Sequence, residues 1–445
     1  MSNIFDEDSI KQEQEQEQEQ EQPDIMDLAL LNKNISKEEK YALDNLRADS
    51  HFVSYDINKQ SGNLKIGSQL YGQFPLYGYL ASDIINIYNV PSVLPTTRKV
   101  NIAIIVAFHY PNLQSDFDLF CKLNNLPPYK LNIITFDLSN NRILPGRSKS
   151  NTNSNPNWAK EACLDVQWAY AMNPNADITV FEARSNIIYR DLYYAIFYST
   201  RNSIIYNHRK SDIVSMSWGS VEFPYQVTYD PEFFTDASVC YLASSGDMNI
   251  VNWPASSQRV LACGGTTLRS MSPSFSSRSS EITWFSAGCG FSTFNSKPIY
   301  QSNVSNLTSY TKRCIPDVSG VANPSTGVQV VYNGYKYNIL GGTSVSAPII
   351  AGMLSVAVQK RLNLGKSAIT TVYKTSVPPP SYTNLLQQIL YNIYGTDGKN
   401  TNYTDIFYDI TIGRDGIYTS DEGFDIPTGL GVFDCEKLSN YIAGL

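Results

Sequence analysis

Histidine is scarce. Three occur in 445 residues, at positions 51, 109 and 208. A hydrolase that uses an imidazole as its base has only these to draw on. His51 sits in a polar N-terminal stretch, His109 follows an apolar run in Phe-His-Tyr-Pro, and His208 lies in Tyr-Asn-His-Arg. None has a motif context that pairs it with a nucleophile, so all three read as ordinary loop histidines. The seven cysteines (121, 163, 240, 263, 289, 314 and 435) contain no Cys-x-x-Cys pair. That argues against a zinc site and a disulfide framework, and for free thiols in a reducing compartment. No run approaches the ~18 apolar residues of a membrane-spanning helix. The opening Met-Ser-Asn-Ile-Phe-Asp-Glu-Asp has neither the basic region nor the apolar core of a secretory signal. No basic stripe or Lys/Arg run is present, which excludes nucleic acid as a partner. The compartment stays open: intracellular synthesis without disulfides is expected, and an acidic compartment or a virus particle is compatible with it.

What is present is enough apolar residue, 42%, for a large core, with only 17% charged residues and a net charge of −7. An acidic surface is compatible with work at low pH. Residues 1–25, with an alternating Gln/Glu tract at 12–22, cannot bury enough apolar area to offset chain entropy and are expected to be a disordered tail. Residues 26–80 read as a short polar extension with a helix at 36–47. From 81 to 445 the texture is that of one domain. Strands are expected at 100–107, 131–136, 177–182, 212–217, 238–243 and 258–263, and helices at 158–172, 187–200, 345–361 and 383–394. Near-continuous apolar strands separated by helices predict an α/β fold, with a mainly parallel sheet flanked by helices on both faces. Ligands of such sheets sit beyond the carboxyl ends of the strands. Asn333-Gly334 between apolar runs predicts a hairpin turn.

The strongest local signal is Gly341-Gly342-Thr343-Ser344-Val345-Ser346-Ala347-Pro348 ahead of an apolar helix. Ser344 then sits at the positive end of the helix dipole, with Pro348 expected in the first turn. That suits a nucleophile whose attack creates an oxyanion, although a serine there also suits a plain helix start. A serine needs a base. Glu161 and Asp165, in Glu-Ala-Cys-Leu-Asp, project from one face of a helix at i, i+4. Close together in a cleft, two such acids share a proton and separate their pKa values. In solvent they are only an acidic face. Asp247 closes Ser244-Ser-Gly-Asp directly after an expected strand. It is either turn chemistry or a protonated donor to an oxyanion.

Together these segments resemble the sedolisins, the serine-carboxyl peptidases with a subtilisin-like fold. Supporting segments are Ser215-Met-Ser-Trp-Gly219, Ala262-Cys-Gly-Gly-Thr-Thr-Leu268, Gly288-Cys-Gly-Phe-Ser292 and Pro316-Asp-Val-Ser-Gly-Val-Ala322. The resemblance runs from about 81 to 445. It implies an endopeptidase or tripeptidyl peptidase, acting on polypeptides as a monomer. Ser344 would be the nucleophile, Glu161 the general base and then acid, Asp165 its support, and Asp247 the oxyanion donor. Trp218 and Ser346 would be supporting groups. Asp247 must be protonated while Glu161 is ionised, which points to a working pH nearer 4 than 7. A catalytically silent protein that keeps the fold is the alternative, and an Asp-His-Ser subtilisin lacks its His motif here.

The resemblance also implies one bound Ca²⁺, held by the side chains of Asp409 and Asp425 and the carbonyls of Ile410, Asp421 and Gly423. Several positions depart from the family pattern. Cys289 and Cys314 stand where relatives tend to have glycine, as Asp421 does among the carbonyl ligands, and Val106 stands near a further relay glutamate of some members. Relatives carry a long folded propeptide. Here residues 1–80 stand in its place as a vestige, and self-processing does not follow from the resemblance.

Overall fold

The computed structural model describes residues 41, 43–55, 78–94, 98–139, 142–146, 155–203, 208–269, 278, 280–371 and 385–445. The Gln/Glu tract, the start of the helix expected at 36–47 and the start of that at 383–394 lie outside the described residues.

Among the described residues nine strands form the central sheet: β1 (Asn101–Ala107), β2 (Asn132–Ser139), β3 (Arg142–Gly146), β4 (Asp177–Ala183), β5 (Ile213–Met216), β6 (Cys240–Ser244), β7 (Leu261–Arg269), β8 (Ser280–Thr283) and β9 (Val318–Val321). Their order is β8-β7-β6-β5-β1-β4-β2-β3, with β9 alongside β7. Pairing is parallel from β2 through β4, β1, β5, β6 and β7 to β9. The edge strands β3 and β8 are antiparallel. Every residue of β1 and of β6 is buried, at odd and even positions alike. A strand can hide both faces only when both are covered, as the apolar runs predict.

β7 outruns its expected end at 263 and continues to Arg269. Its second half, Gly-Gly-Thr-Thr, carries no apolar run to announce it. Glycine is needed there because a Cβ on Gly264 would sit 2.4 Å from the Pro316 ring. The helix expected at 187–200 is divided into a wide turn, Ile188–Leu192, and a helix, Tyr193–Ser199. The predicted turn forms: Asn333 and Gly334 have φ of 53° and 74°, joining Val328–Tyr332 to Tyr335–Gly341.

Two helices carry the candidate residues, Pro156–Met172 and Thr343–Asn363. They lie against each other so closely that a Cβ on Gly352 would meet the Ala169 carbonyl at 2.6 Å. Pro348 is in the second turn of its helix, not the first, because Gly342 and not Ser344 caps it. Having no N–H, it leaves the Ser344 carbonyl without its i+4 donor. All seven cysteines are free and buried.

Part of the N-terminal extension belongs to this body. Leu43 and Ala48 are core residues. Asp49–Ser50 pairs with Trp218–Val221, and Val53–Tyr55 pairs with the end of Tyr335–Gly341.

Candidate active site

Ser344 is set by the turn before it. Gly342, at φ 104°, ends an extended strand and caps the helix. A Cβ there would lie 2.4 Å from Asp247 Oδ2 and 2.5 Å from the His51 carbonyl, so only glycine fits. Thr343 begins the helix, and its N–H and hydroxyl donate to Asp247 Oδ1 at 2.7 and 2.8 Å. The Ser344 N–H donates to the His51 carbonyl at 2.9 Å, and its hydroxyl to the Ser217 carbonyl at 3.2 Å.

Glu161 and Asp165 are wholly buried. Their helix is covered nearly all round from Trp158 to Met172, which removes the reading of a solvated acidic face. Ser217 donates its hydroxyl to Asp165 Oδ1 at 2.6 Å. Both Glu161 oxygens and Asp165 Oδ2 have no hydrogen-bond partner among the described residues. Burial raises the Glu161 carboxyl well above the ordinary range, and the charges of Asp165 and Asp247 add to the rise. The Ser344 hydroxyl is the one group that opposes it. That hydroxyl now faces Ser217, and rotation about its Cα–Cβ bond is the motion that would turn it to the glutamate. Burial likewise raises Asp165, opposed by the Ser217 hydroxyl.

Asp247 follows β6 through a turn at Gly246, φ 112°. Burial pushes its carboxyl up to about 7 despite the two Thr343 donors. Oδ1 takes both donors, while Oδ2 has no partner among the described residues and, like the His51 carbonyl, borders the space a Gly342 Cβ would fill. The protonated acid can donate from Oδ2; the ionised one cannot. All four residues expected at the site are thus brought together: Asp247 beyond the carboxyl end of β6, Ser344 at the start of one helix, and Glu161 and Asp165 within the other.

The supporting groups separate. Trp218 donates its indole N–H to the Ile105 carbonyl at 3.0 Å, fixing the strand after β5. Ser346 Oγ is buried beside Gly320 and has no partner among the described residues. The histidines are not loop ornaments. His109 pairs with the buried Glu182 carboxylate. His208 is buried against the Phe181 ring, 4.9 Å between centroids. His51 is in the cleft itself, with Nδ1 hydrogen-bonded to Ser244 Oγ at 2.9 Å. Their ring nitrogens bond to Ser244, Glu182 and Ser199 and not to the Ser344 hydroxyl, so no Asp-His-Ser hydrogen-bond relay is formed among the described residues.

In the C-terminal segment, Asp409 and Asp425 face the same loop. Asp409 Oδ2 accepts from Gly423 N at 2.7 Å, and Asp425 Oδ2 from Asp421 N at 3.2 Å. Burial pushes Asp425 up to about 7, and the charge of Asp409 adds to that rise. Among the described residues no group of three or more His, Cys, Asp or Glu side chains is arranged to hold a metal. A cation here would need backbone carbonyls as well.

Residues 172–398 match the model of the subtilase family of peptidases, half of the chain. The chain belongs to the subtilase family. Within it, the sedolisin kinship read from the motifs holds. Sedolisin from Pseudomonas sp. (strain 101) is 32% identical over 207 residues, 44% of this chain and 31% of that protein. Kumamolisin from Bacillus sp. (strain MN-32) is 31% identical over 305 residues, 61% of this chain and 48% of that protein. The chain therefore spans about half or less of each of these two curated relatives. The solved Pseudomonas sedolisin, described as a serine-carboxyl proteinase complexed with pseudo-iodotyrostatin, superposes at TM-score 0.65 with 23% identity, covering 84% of this chain and 99% of that one. That likeness confirms the subtilisin-like fold. The subtilase match includes Asp247 and Ser344 but stops short of Glu161 and Asp165 on one side and of the C-terminal acidic segment on the other.

This subtilase should be more stable in mild acid than in mild base. Glu161, Asp165, Asp247 and Asp230, the last raised to about 6 by burial, all bind protons more tightly folded than unfolded. Their charge therefore destabilises the fold increasingly as pH rises from the unfolded value through the folded one. His51 and His208, lowered to about 4 by burial, act oppositely and weaken the fold as pH falls below their unfolded value of 6.5. Four acids outweigh two imidazoles, so Tm at pH 5.5 should exceed Tm at pH 8 by several degrees. A scan in which Tm climbs steadily from pH 5.5 to 8 would contradict this assignment of buried acids.

Proposed function

We propose that the chain is a serine-type peptidase that hydrolyses polypeptides at acidic pH through Ser344, Glu161, Asp165 and Asp247. The observation that carries this reading is the set of buried, unpartnered carboxylate oxygens gathered around one hydroxyl. Burying acids without partners costs several kcal/mol each unless they stay protonated. A silent protein gains nothing from such a set, whereas an acid–base centre needs it. In this mechanism Glu161 takes the Ser344 proton as the hydroxyl attacks the scissile carbonyl. Asp165, fixed by Ser217, shares one proton with the glutamate, so that Glu161 is ionised to accept while Asp165 stays neutral. The Ser344 N–H and the protonated Asp247 hold the oxyanion. Glu161 then returns the proton to the leaving amine, and water resolves the acyl-enzyme. The test is hydrolysis of an unfolded protein at pH 3–5 by wild type beside Ser344→Ala.

The acidic C-terminal loop fits Ca²⁺ in donor type. Two mutually repelling carboxylates, Asp409 and Asp425, lie with the carbonyl-bearing residues Ile410, Asp421 and Gly423 on one loop. Hard cations take such oxygen sets, and a bound ion would supply the charge that the two acids lack. Its part would be structural, fastening the loop whose end lies on β9, where Ser319 N donates to the Gly431 carbonyl. Wild-type protein in millimolar Ca²⁺ should lose about 5–10 °C of Tm on adding a chelator. Asp409→Asn should lose that difference. An unchanged Tm in the wild type rules the site out.

A further inference from the structure

A second cavity, of about 690 Å³, opens beside the four residues described above. It lies where Trp218–Val221 pairs with Asn252–Trp253, at the Val221 end. Val221 and Glu222 border it, as do residues 249–251, 289–291 and 415–418. Two of these segments are fastened to the turn that carries Asp247. Residues 249–251 begin two positions after it. Gly288 N donates to the Gly246 carbonyl at 2.6 Å, and a Cβ on Gly288 would lie 2.1 Å from the Ser245 carbonyl. The Ser286 hydroxyl donates to the Asp247 carbonyl at 2.7 Å. A cavity built on that turn is within reach of a polypeptide side chain near the scissile bond.

Its charge is one-sided. Asp415 pairs with Tyr418 across Gly416, φ 54°, and Ile417. That hairpin buries Asp415 wholly and leaves Ile417 82% exposed. Neither Asp415 oxygen has a hydrogen-bond partner among the described residues, and burial pushes the carboxyl up to about 7. The neighbouring Arg414 spends its guanidinium on the Gly416 carbonyl. Glu222 receives only neutral donors, the Ser292 hydroxyl, the Thr293 N–H and the Gln226 amide. No described residue that borders the cavity is Lys, Arg or His. The remaining wall is apolar and aromatic, with the Phe291 and Tyr418 rings edge to face at 6.4 Å. An acidic side chain would be repelled here, and an apolar one would leave both carboxylates without a countercharge. A long cationic side chain suits both parts: its stem lies on the rings and its head meets the acids.

We propose that this cavity is a substrate subsite, and that Asp415 and Glu222 select there a Lys or Arg side chain of the polypeptide, close to the bond that is cut. The proposal rests on the peptidase reading above. Asp415 and Glu222 act on which polypeptide is taken, and the bond-breaking groups stay those already named. The exposed Val221, Ile250 and Ile417 form an apolar rim over which the rest of the polypeptide can lie.

The test digests an unfolded protein at pH 5 with the full chain and maps every cut by mass spectrometry. In the wild type, Lys and Arg should be enriched about 10-fold at one fixed position near the cut bond, and Ser344→Ala should make no cuts. Asp415→Asn keeps the shape and removes the charge, so it should bring the enrichment below about 3-fold, and Glu222→Gln should lower it too. A second measurement leaves the enzyme unaltered. Two peptides differ only at the enriched position, one with arginine and one with citrulline, its neutral counterpart. The wild type should favour the arginine peptide about 10-fold in kcat/KM. Ser344-dependent cuts without any Lys or Arg enrichment overturn the subsite and leave the peptidase reading standing. So do equal rates on the two peptides, or an enrichment undiminished in both variants. The absence of any Ser344-dependent cut overturns both readings.

Discussion

Ser344→Ala should lower kcat on an unfolded protein at pH 4 by roughly 10⁴-fold or more, the scale on which removal of a nucleophile acts in serine hydrolases. No neighbouring hydroxyl can take over. Thr343 is committed to Asp247, and Ser346 is turned toward Gly320. The variant should also fold. The hydroxyl donates to the Ser217 carbonyl, a bond worth about 1 kcal/mol. Its N–H, which holds the His51 carbonyl, is backbone and survives the change. An unchanged Tm with lost activity would assign the serine to chemistry. Unchanged activity would end the peptidase reading.

Asp247→Ala should cost about 10²–10³-fold in kcat, the usual penalty for losing one oxyanion donor. Asp247→Asn separates donation from titration. Wild-type Asp247 donates only while protonated, and burial places its proton loss near 7. Activity should therefore fall as pH rises through that value, where a donor becomes a repelling carboxylate. An asparagine amide donates at every pH, so its kcat/KM profile from pH 3 to 9 should lose that alkaline fall even if its maximum is lower. A variant that keeps the wild-type fall at the same pH would place the titration elsewhere, with Glu161 and Asp165 the next groups to test.

The sequence carried the parts of this site that are local. Glu161 and Asp165 are legible because a helix puts residues four apart on one face. Ser344 and Asp247 are legible because each follows a strand through glycines. The parallel sheet is legible because strands covered on both faces must be apolar throughout. Pro348 moved to the second turn because Gly342, with its positive φ, starts the helix earlier than a serine cap would. β7 was cut short because its Gly-Gly-Thr-Thr half pairs through the backbone and packs on Pro316 without apolar side chains. His51 was out of reach for a stronger reason. Its strand is polar and short, and its partners at 186–188, 217–219 and 339–341 lie more than a hundred residues away in sequence. No periodicity encodes such a pairing. The only trace was an Ala-Asp-Ser-His-Phe-Val-Ser-Tyr run of mixed strand formers in an otherwise polar extension.

The seven thiols have a use that their burial creates. None is more than 4% exposed, and they are spread from Cys121 to Cys435 across the sheet and the helices. An alkylating reagent in solution finds no target until the interior opens, so labelling measures the frequency of opening rather than the reactivity of any one sulfur. Counting adducts per molecule by mass distinguishes two ways of coming apart. A jump from none to seven marks a single cooperative rupture, whereas a ladder of intermediate masses marks layers that part in turn.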